Sequence, residues 1–352
     1  MFPIVFLFMF MTAGGSAAWY VTAKFNAFNS LSAPPLLLNG EVAPAQLVLQ
    51  DVKEGKGSVY GIQPPAPTAP GSVTILLMGV DARDGDKIDV GVRPDSLFVL
   101  HINGEEGTCR TLSIPRDTRV NLPGYGMSKI NHALDVGGVP YQTLVVEQLL
   151  GVQIDHFGLL DFGGLVGIVN VIGGVTVTND TEFTYKGVTF PKGELKLNGE
   201  EALLYARYRG GKDGDFGRQS RQQQIVRAVL EQTGGMDAAK AIPEVLDDIE
   251  GHFKTDLGVT SMVSLANDYR STCTSETLQT AKLSGDVGYD HDDLLDLDLS
   301  FVHVAHTELR SKVEWLLNGT PASAPNSQRA FADPVRRGVE AALAPRFIRS
   351  AI

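Results

Sequence analysis

The chain has 352 residues, 43% of them hydrophobic, and a net charge of −11. That apolar content argues against a disordered chain, and the acidic balance without any basic block argues against a nucleic-acid partner. The two cysteines, Cys109 and Cys273, lack metal-ligand spacing; they read as two buried thiols, or as one long-range disulfide if the domain lies outside the cytoplasm.

From Met1 to Ala23 there is no charged residue, and Phe2 to Phe10 is almost wholly apolar. Residues 1–29 are therefore expected to form a transmembrane anchor or a signal segment, with Ser16-Ala17-Ala18 as a cleavage site in the second case. Either reading places the rest of the chain outside the cytoplasm. Residues 30–71 hold Pro34, Pro35, Pro44, Pro64, Pro65, Pro67 and Pro70 and read as an extended extracytoplasmic linker, with a short strand or helix allowed between Val42 and Val59.

The folded domain is expected over 72–318, followed by a tail over 319–352. Val73 to Val80, Ser96 to Ile102 and Thr108 to Ile114 read as strands. Helices are expected from Pro140 to Leu150, with Pro at a first-turn position, and from Phe162 to Ile172, capped by Asp161. Val175 to Thr178 reads as a strand. Asn198 with Glu201 forms a capping box that opens a helix, and Gly217 to Gln232 reads as a strong helix. Asp237 to Ile249, Val259 to Tyr269 and Thr307 to Leu317 add helices, and Thr277 to Leu283 a strand. Asp286 to Asp298 holds six aspartates and reads as a solvated loop. Strands and helices mix without strict alternation. The expected fold is therefore α/β (α+β), a central mixed β-sheet with helices on both sides.

The first strand ends in Asp81 and Arg83, and the second begins with Arg93 and Asp95. If the two are antiparallel neighbours, these four residues share one sheet edge. Two carboxylates and two guanidiniums there suit a hard divalent cation and a phosphate. Four more clusters are Arg116-Asp117, Lys129 with Asn131 and His132, Arg207 with Arg209, and Asp215 with Arg218, Arg221 and Gln222. The two arginines at 207 and 209 share a face only on extended backbone, so the preceding helix is expected to end near Leu204. Convergence of so many cations would require an anion, and a diphosphate with Mg2+ supplies one.

The series Ile75-Leu-Leu-Met-Gly-Val-Asp81-Ala-Arg83, Arg93-Pro-Asp95, Ser113-Ile-Pro-Arg116-Asp117-Thr118, Lys129-Ile-Asn131-His132-Ala133, Ile172-Gly-Gly-Val175, Leu197-Asn-Gly-Glu-Glu-Ala-Leu203, Arg207-Tyr-Arg209 and Arg218-Gln-Ser-Arg221-Gln222-Gln223 resembles the LytR–CpsA–Psr family. The likeness runs in order from about Ser72 to Leu317, without the acidic segment and the tail. Pro94 departs from the small residue usual in the family.

The resemblance implies a membrane-anchored phosphotransferase on the outer face of the cell membrane. It would move a glycopolymer from a polyprenyl-pyrophosphate carrier onto peptidoglycan or another envelope acceptor. Asp81 and Asp95 would hold Mg2+ or Mn2+. Arg83, Arg93, Arg116, Lys129, Arg207, Arg209, Arg218 and Gln222 would cradle the pyrophosphate. Arg116 would also stabilise charge during transfer, and Asp117 or Asp215 would serve as general base if one is used. An apolar groove between sheet and helices, lined by Leu159 to Ile172, would take the polyprenyl chain. A pyrophosphatase and a non-enzymatic envelope sensor or transcriptional attenuator are the alternatives.

Overall fold

The structure is a computed structural model. It describes residues 43–319, except within the stretches 55–64, 83–90 and 209–247. The N-terminal apolar segment and the tail beyond Gly319 therefore lie outside the described residues. Among the described residues no helix is long and apolar enough to cross a membrane.

At the centre lies β1 (Ser72–Val80). Every residue after Ser72 in this strand is buried, because the sheet is covered on both faces. Alternation divides its side chains: Val73, Ile75 and Leu77 enter one hydrophobic core, and Leu76, Met78 and Val80 enter the other. Each such side chain removed from water contributes roughly 1.5–3 kcal/mol, so the two cores fix the register.

β1 pairs antiparallel with β2 (Pro94–Asn103), which pairs antiparallel with β3 (Thr108–Ile114). On the other flank β1 runs parallel to β6 (His156–Leu160). β11 (Phe253–Thr255) and β12 (Leu278–Lys282) complete the order β11-β6-β1-β2-β3-β12. Outside this sheet β7 (Val175–Asn179) pairs with β10 (Gly193–Leu197), and β8 (Phe183–Tyr185) with β9 (Val188–Phe190). A mixed sheet with helices on both faces is thus the observed fold. The helices α3 (Phe162–Val171), α4 (Gly199–Arg207) and α5 (Val259–Tyr269) serve the first core. The helices α1 (Pro44–Lys53), α2 (His132–Leu150) and α6 (His306–Asn318) serve the second.

Several expectations are corrected. The short element allowed between Val42 and Val59 is the helix α1, but it is packed rather than part of an extended spacer: Ala45 and Val48 are fully buried, and Thr68 hydrogen-bonds to Asp155 at 2.8 Å. The folded body therefore begins before Ser72. The helix expected from Pro140 to Leu150 is present as the second part of α2, after a break at Gly138 (φ 68°); the first part, from His132, lies outside the expectation. The helix expected to end near Leu204 continues to Arg207, and Tyr208 is the first extended residue (ψ 127°). The full capping box, in which Glu201 N donates to Asn198 Oδ1 and Asn198 N to Glu201, anchors its start. Gly199 is required there, since a Cβ would lie 2.4 Å from the Val166 carbonyl oxygen of α3.

The acidic segment is a hairpin rather than a solvated loop. β13 (Asp286–Asp292) pairs antiparallel with β14 (Leu297–His303), and Asp292 is fully buried. Cys109 and Cys273 form a disulfide, with Cα atoms 5.1 Å apart, instead of two free thiols. Cys109 lies at the start of β3, so the crosslink ties that end of the sheet to the segment after α5.

Candidate active site

The antiparallel register places the end of β1, the start of β2 and the end of β3 at one edge of the sheet. β6 runs parallel to β1 and ends at the same edge, followed by Asp161. The loop residues flanking these strands therefore converge. Pairing shifts between Gly79↔Ser96 and Val80↔Pro94, leaving Asp95 as the extra residue of a bulge. A bulge re-aims a side chain at a sheet edge, and Pro94, without an N–H, ends the ladder there. Asp81, just past β1, and Asp95, near the start of β2, do lie at the same end of two adjacent strands.

Each carboxylate meets a guanidinium from elsewhere in the chain. Arg207, the last residue of α4, donates from Nη2 to Asp81 Oδ2 at 2.6 Å. Its guanidinium also lies over the Phe162 ring, 4.1 Å from the centroid. Arg116 donates to Asp95, and its Nε lies 3.5 Å from Asp117 Oδ2. Lys129 donates to the other oxygen of Asp117 at 2.7 Å. Asp81, Arg207, Asp95, Arg116 and Asp117 all keep between 33% and 48% of their side-chain surface in solvent. Ion pairs this exposed contribute only about 0–1 kcal/mol each. The clustering is therefore not accounted for by stability, and it leaves cations within reach of an incoming anion.

Burial works against the charge on Arg116, but the Asp95 and Asp117 carboxylates outweigh it and hold the guanidinium above its usual range. His132 is pushed below the usual histidine range, first by burial and then by Arg93.

The other expected residues divide into two groups. Arg93 turns to α2, where its Nε donates to Asp135 at 2.8 Å. Arg83, Arg209, Asp215, Arg218 and Gln222 lie outside the described residues. Arg221 braces the chain after α4: it donates to the Tyr208 carbonyl at 2.7 Å and lies over the Tyr208 and Phe183 rings. Leu159 to Ile172, expected to line an apolar groove, is mostly core. Leu159, Leu160, Leu165, Ile168 and Val169 are at most 1% exposed.

Two residues at this edge do not stand out as site residues in the sequence. Phe162 reads there only as the first residue of a helix; an aromatic directly after a cap at a strand end is the signal that marks it. Asp161 caps α3 through Gly164 N at 3.0 Å, as expected, but its second oxygen also holds His252 Nδ1 at 2.8 Å. That partner is 91 residues away and carries no local signal.

The chain matches the LytR_cpsA_psr family over residues 48–309. It is similar to a curated relative from Bacillus licheniformis, a polyisoprenyl-teichoic acid–peptidoglycan teichoic acid transferase, TagU. The identity is 38% over 199 residues, covering 56% of this chain and 64% of that one. This chain thus spans less than two thirds of that relative's length. Among solved structures it is similar to B. subtilis TagV, with a TM-score of 0.58 and 33% identity over 72% of this chain and all of that one. It is also similar to TagT bound to LI-WTA, with a TM-score of 0.56 and 26% identity over 71% of this chain and 91% of that one.

Proposed function

The chain belongs to the LytR_cpsA_psr family, and on that premise we propose that it is a phosphotransferase of the cell envelope. It would take a glycopolymer from a polyprenyl-pyrophosphate carrier and join it to peptidoglycan or a related acceptor. The observation that carries this reading is the sheet edge where Asp81–Arg207 and Asp95–Arg116 alternate in charge, open to solvent. Relatives named as teichoic acid transferases, and TagT bound to LI-WTA, point to the same class.

In the proposed reaction an acceptor hydroxyl oxygen attacks the glycan-bearing phosphorus. A new P–O bond forms, the P–O bond to the carrier breaks, and polyprenyl phosphate leaves with its electron pair. Arg116, Arg207 and Lys129 surround the place where charge grows on the phosphoryl oxygens, and guanidiniums bind such oxygens bidentately. Arg83, Arg93, Arg209, Arg218 and Gln222 join them on the resemblance alone. Each oxygen of Asp117 faces a cation, which favours a role in orienting Arg116 and Lys129 over that of general base. Asp215 keeps the base role as a proposal, and the hydroxyl proton otherwise passes to solvent.

Asp81 and Asp95 would hold Mg2+ or Mn2+. Among the described residues no cluster of three or more His, Cys, Asp or Glu forms a closed metal cage. Two carboxylates at an open edge suit Mg2+, which binds through one or two carboxylates, water and substrate phosphates. Bound there, the ion would neutralise charge on the diphosphate. An extracytoplasmic location is proposed with it, and the Cys109–Cys273 disulfide supports an oxidising compartment. The test is incubation with Mg2+ and a polyprenyl-pyrophosphoryl glycan, with and without acceptor glycan. Acceptor-linked product supports transfer; free phosphoryl-glycan whatever acceptor is added would make the protein a pyrophosphatase instead.

A further inference from the structure

The acidic hairpin lies about 170 residues from the strands it grips. Met127 N donates to Asp293 at 2.6 Å, and Asp293 N donates back to the Met127 carbonyl at 2.8 Å. Val302 N donates to the Asp117 carbonyl at 2.8 Å. The hairpin thus holds both short strands that deliver the cationic arm of the site, β4 (Arg119–Leu122) and β5 (Gly126–Lys129).

Its one fully buried carboxylate sits at the centre of that grip. Asp292 Oδ1 accepts from Leu294 N and Leu295 N, which fixes the turn. Its other oxygen accepts from the buried Ser128 hydroxyl at 2.9 Å. The one hydroxyl proton of Ser128 is used there, so His132 Nδ1–H must donate to Ser128 Oγ across 2.8 Å. Successive strand residues point to opposite sides. Ser128 therefore anchors β5 inward while Lys129 points the other way, to Asp117. Phe301 of the hairpin, also fully buried, lies beneath the Lys129 ammonium and the Arg119 guanidinium, at 5.9 and 5.5 Å. Asp290 pairs with Arg119 at 3.2 Å.

We infer that Asp292 is a positioning residue for the transfer site, acting through Ser128 to hold Lys129 against Asp117. Its role for substrate rests on the proposed diphosphate contact of Lys129; its role in placing Lys129 does not. A buried hydrogen-bonded carboxylate fixes geometry that an exposed one cannot. Asp296 at the hairpin tip, with 96% of its side chain exposed, serves as an internal control.

The experiment reads Lys129 directly. The ligand-free protein is labelled with acetic anhydride and acetylation at Lys129 is followed by peptide mass spectrometry. Asp292→Asn should raise the rate by roughly tenfold, the equivalent of losing one charged hydrogen bond, while Asp296→Asn leaves it unchanged. Ser128→Ala, which cuts the link but keeps the charge, should raise it as well and stands in if Asp292→Asn does not fold. An unchanged Lys129 rate in folded Asp292→Asn or Ser128→Ala overturns the inference. Inorganic pyrophosphate binding then separates the two claims. If Lys129→Met binds pyrophosphate as well as the parent, the diphosphate reading of Lys129 falls and the positioning result stands. If Lys129→Met weakens binding, adding Asp292→Asn should cost little more, since both act through one group. Fully additive losses would overturn the positioning role.

Discussion

Arg207 Nη2 lies 2.6 Å from Asp81 Oδ2, joining the last residue of α4 to the residue just past β1 across 126 positions of sequence. The same guanidinium is stacked on Phe162. One face of the fork is thus fixed by an aromatic ring and its edge by a carboxylate. On the proposed function, an arriving diphosphate would find the arginine already oriented and would need only to compete for its hydrogen bonds.

That orientation depends on the planar fork. Arg207→Lys keeps the charge but loses the stack and the bidentate geometry. Pyrophosphate affinity, measured by titration calorimetry, is expected to fall roughly tenfold in Arg207→Lys, and in Arg207→Ala at least as far. Equal affinity in the lysine variant and the parent would mean that charge alone matters.

The disulfide predicts a second outcome. It closes a loop of 164 residues at the end of β3 away from the site. Reduction, or the Cys109→Ser/Cys273→Ser double variant, is expected to lower unfolding stability by about 2–5 kcal/mol in urea titrations. Pyrophosphate binding should persist while the fold does. Equal stability with and without reductant would remove the crosslink from the account.

Acid sensitivity follows from two buried histidines. His101 is held below the usual range by burial and then by Arg110, and His132 by burial and then by Arg93. Both therefore sit below the ordinary 6.5 when folded, while the unfolded chain protonates at that value. The unfolded state binds more protons in acid, so their contribution is intact above pH 6.5 and is lost as pH falls through the folded values. Urea midpoints between pH 7 and 5 should fall less steeply in the His101→Gln/His132→Gln double variant. An identical slope would count against this assignment.

The packing of α1 gives a fourth test. Val48 is fully buried against α2 and its neighbours. Val48→Asp places an unpaired charge there, and its thermal midpoint should drop by several degrees or the protein should fail to fold. Unchanged melting would show that 44–53 is dispensable linker after all.

These outcomes also bear on how far a one-dimensional pattern reaches. Asp81 and Asp95 are legible as an edge pair because each closes an apolar run, in opposite orders, and such runs pair antiparallel. The capping box at Asn198 and the cap at Asp161 are legible because their signals span three residues. The acidic hairpin is not. Along β13 the less exposed positions are Gly288, Asp290 and Asp292, so no apolar–polar alternation marks the strand, and the buried aspartate's partner lies 164 residues away. The extension of α4 to Arg207 is hidden because the spacing of Arg207 and Arg209 suggests one shared face. Arg207 instead finds its partner, Asp81, from the final turn of the helix.

The central claim is that this edge binds a diphosphate and transfers its glycan. Its most direct measurement is acceptor-linked product formed from a polyprenyl-pyrophosphoryl glycan across a Mg2+ titration, in the parent and in the Asp81→Ala/Asp95→Ala double variant. The parent should show metal-dependent transfer, and the double variant, with unchanged circular dichroism and melting, should show none at any Mg2+ concentration. Transfer retained by the folded double variant with the same Mg2+ dependence would contradict the account.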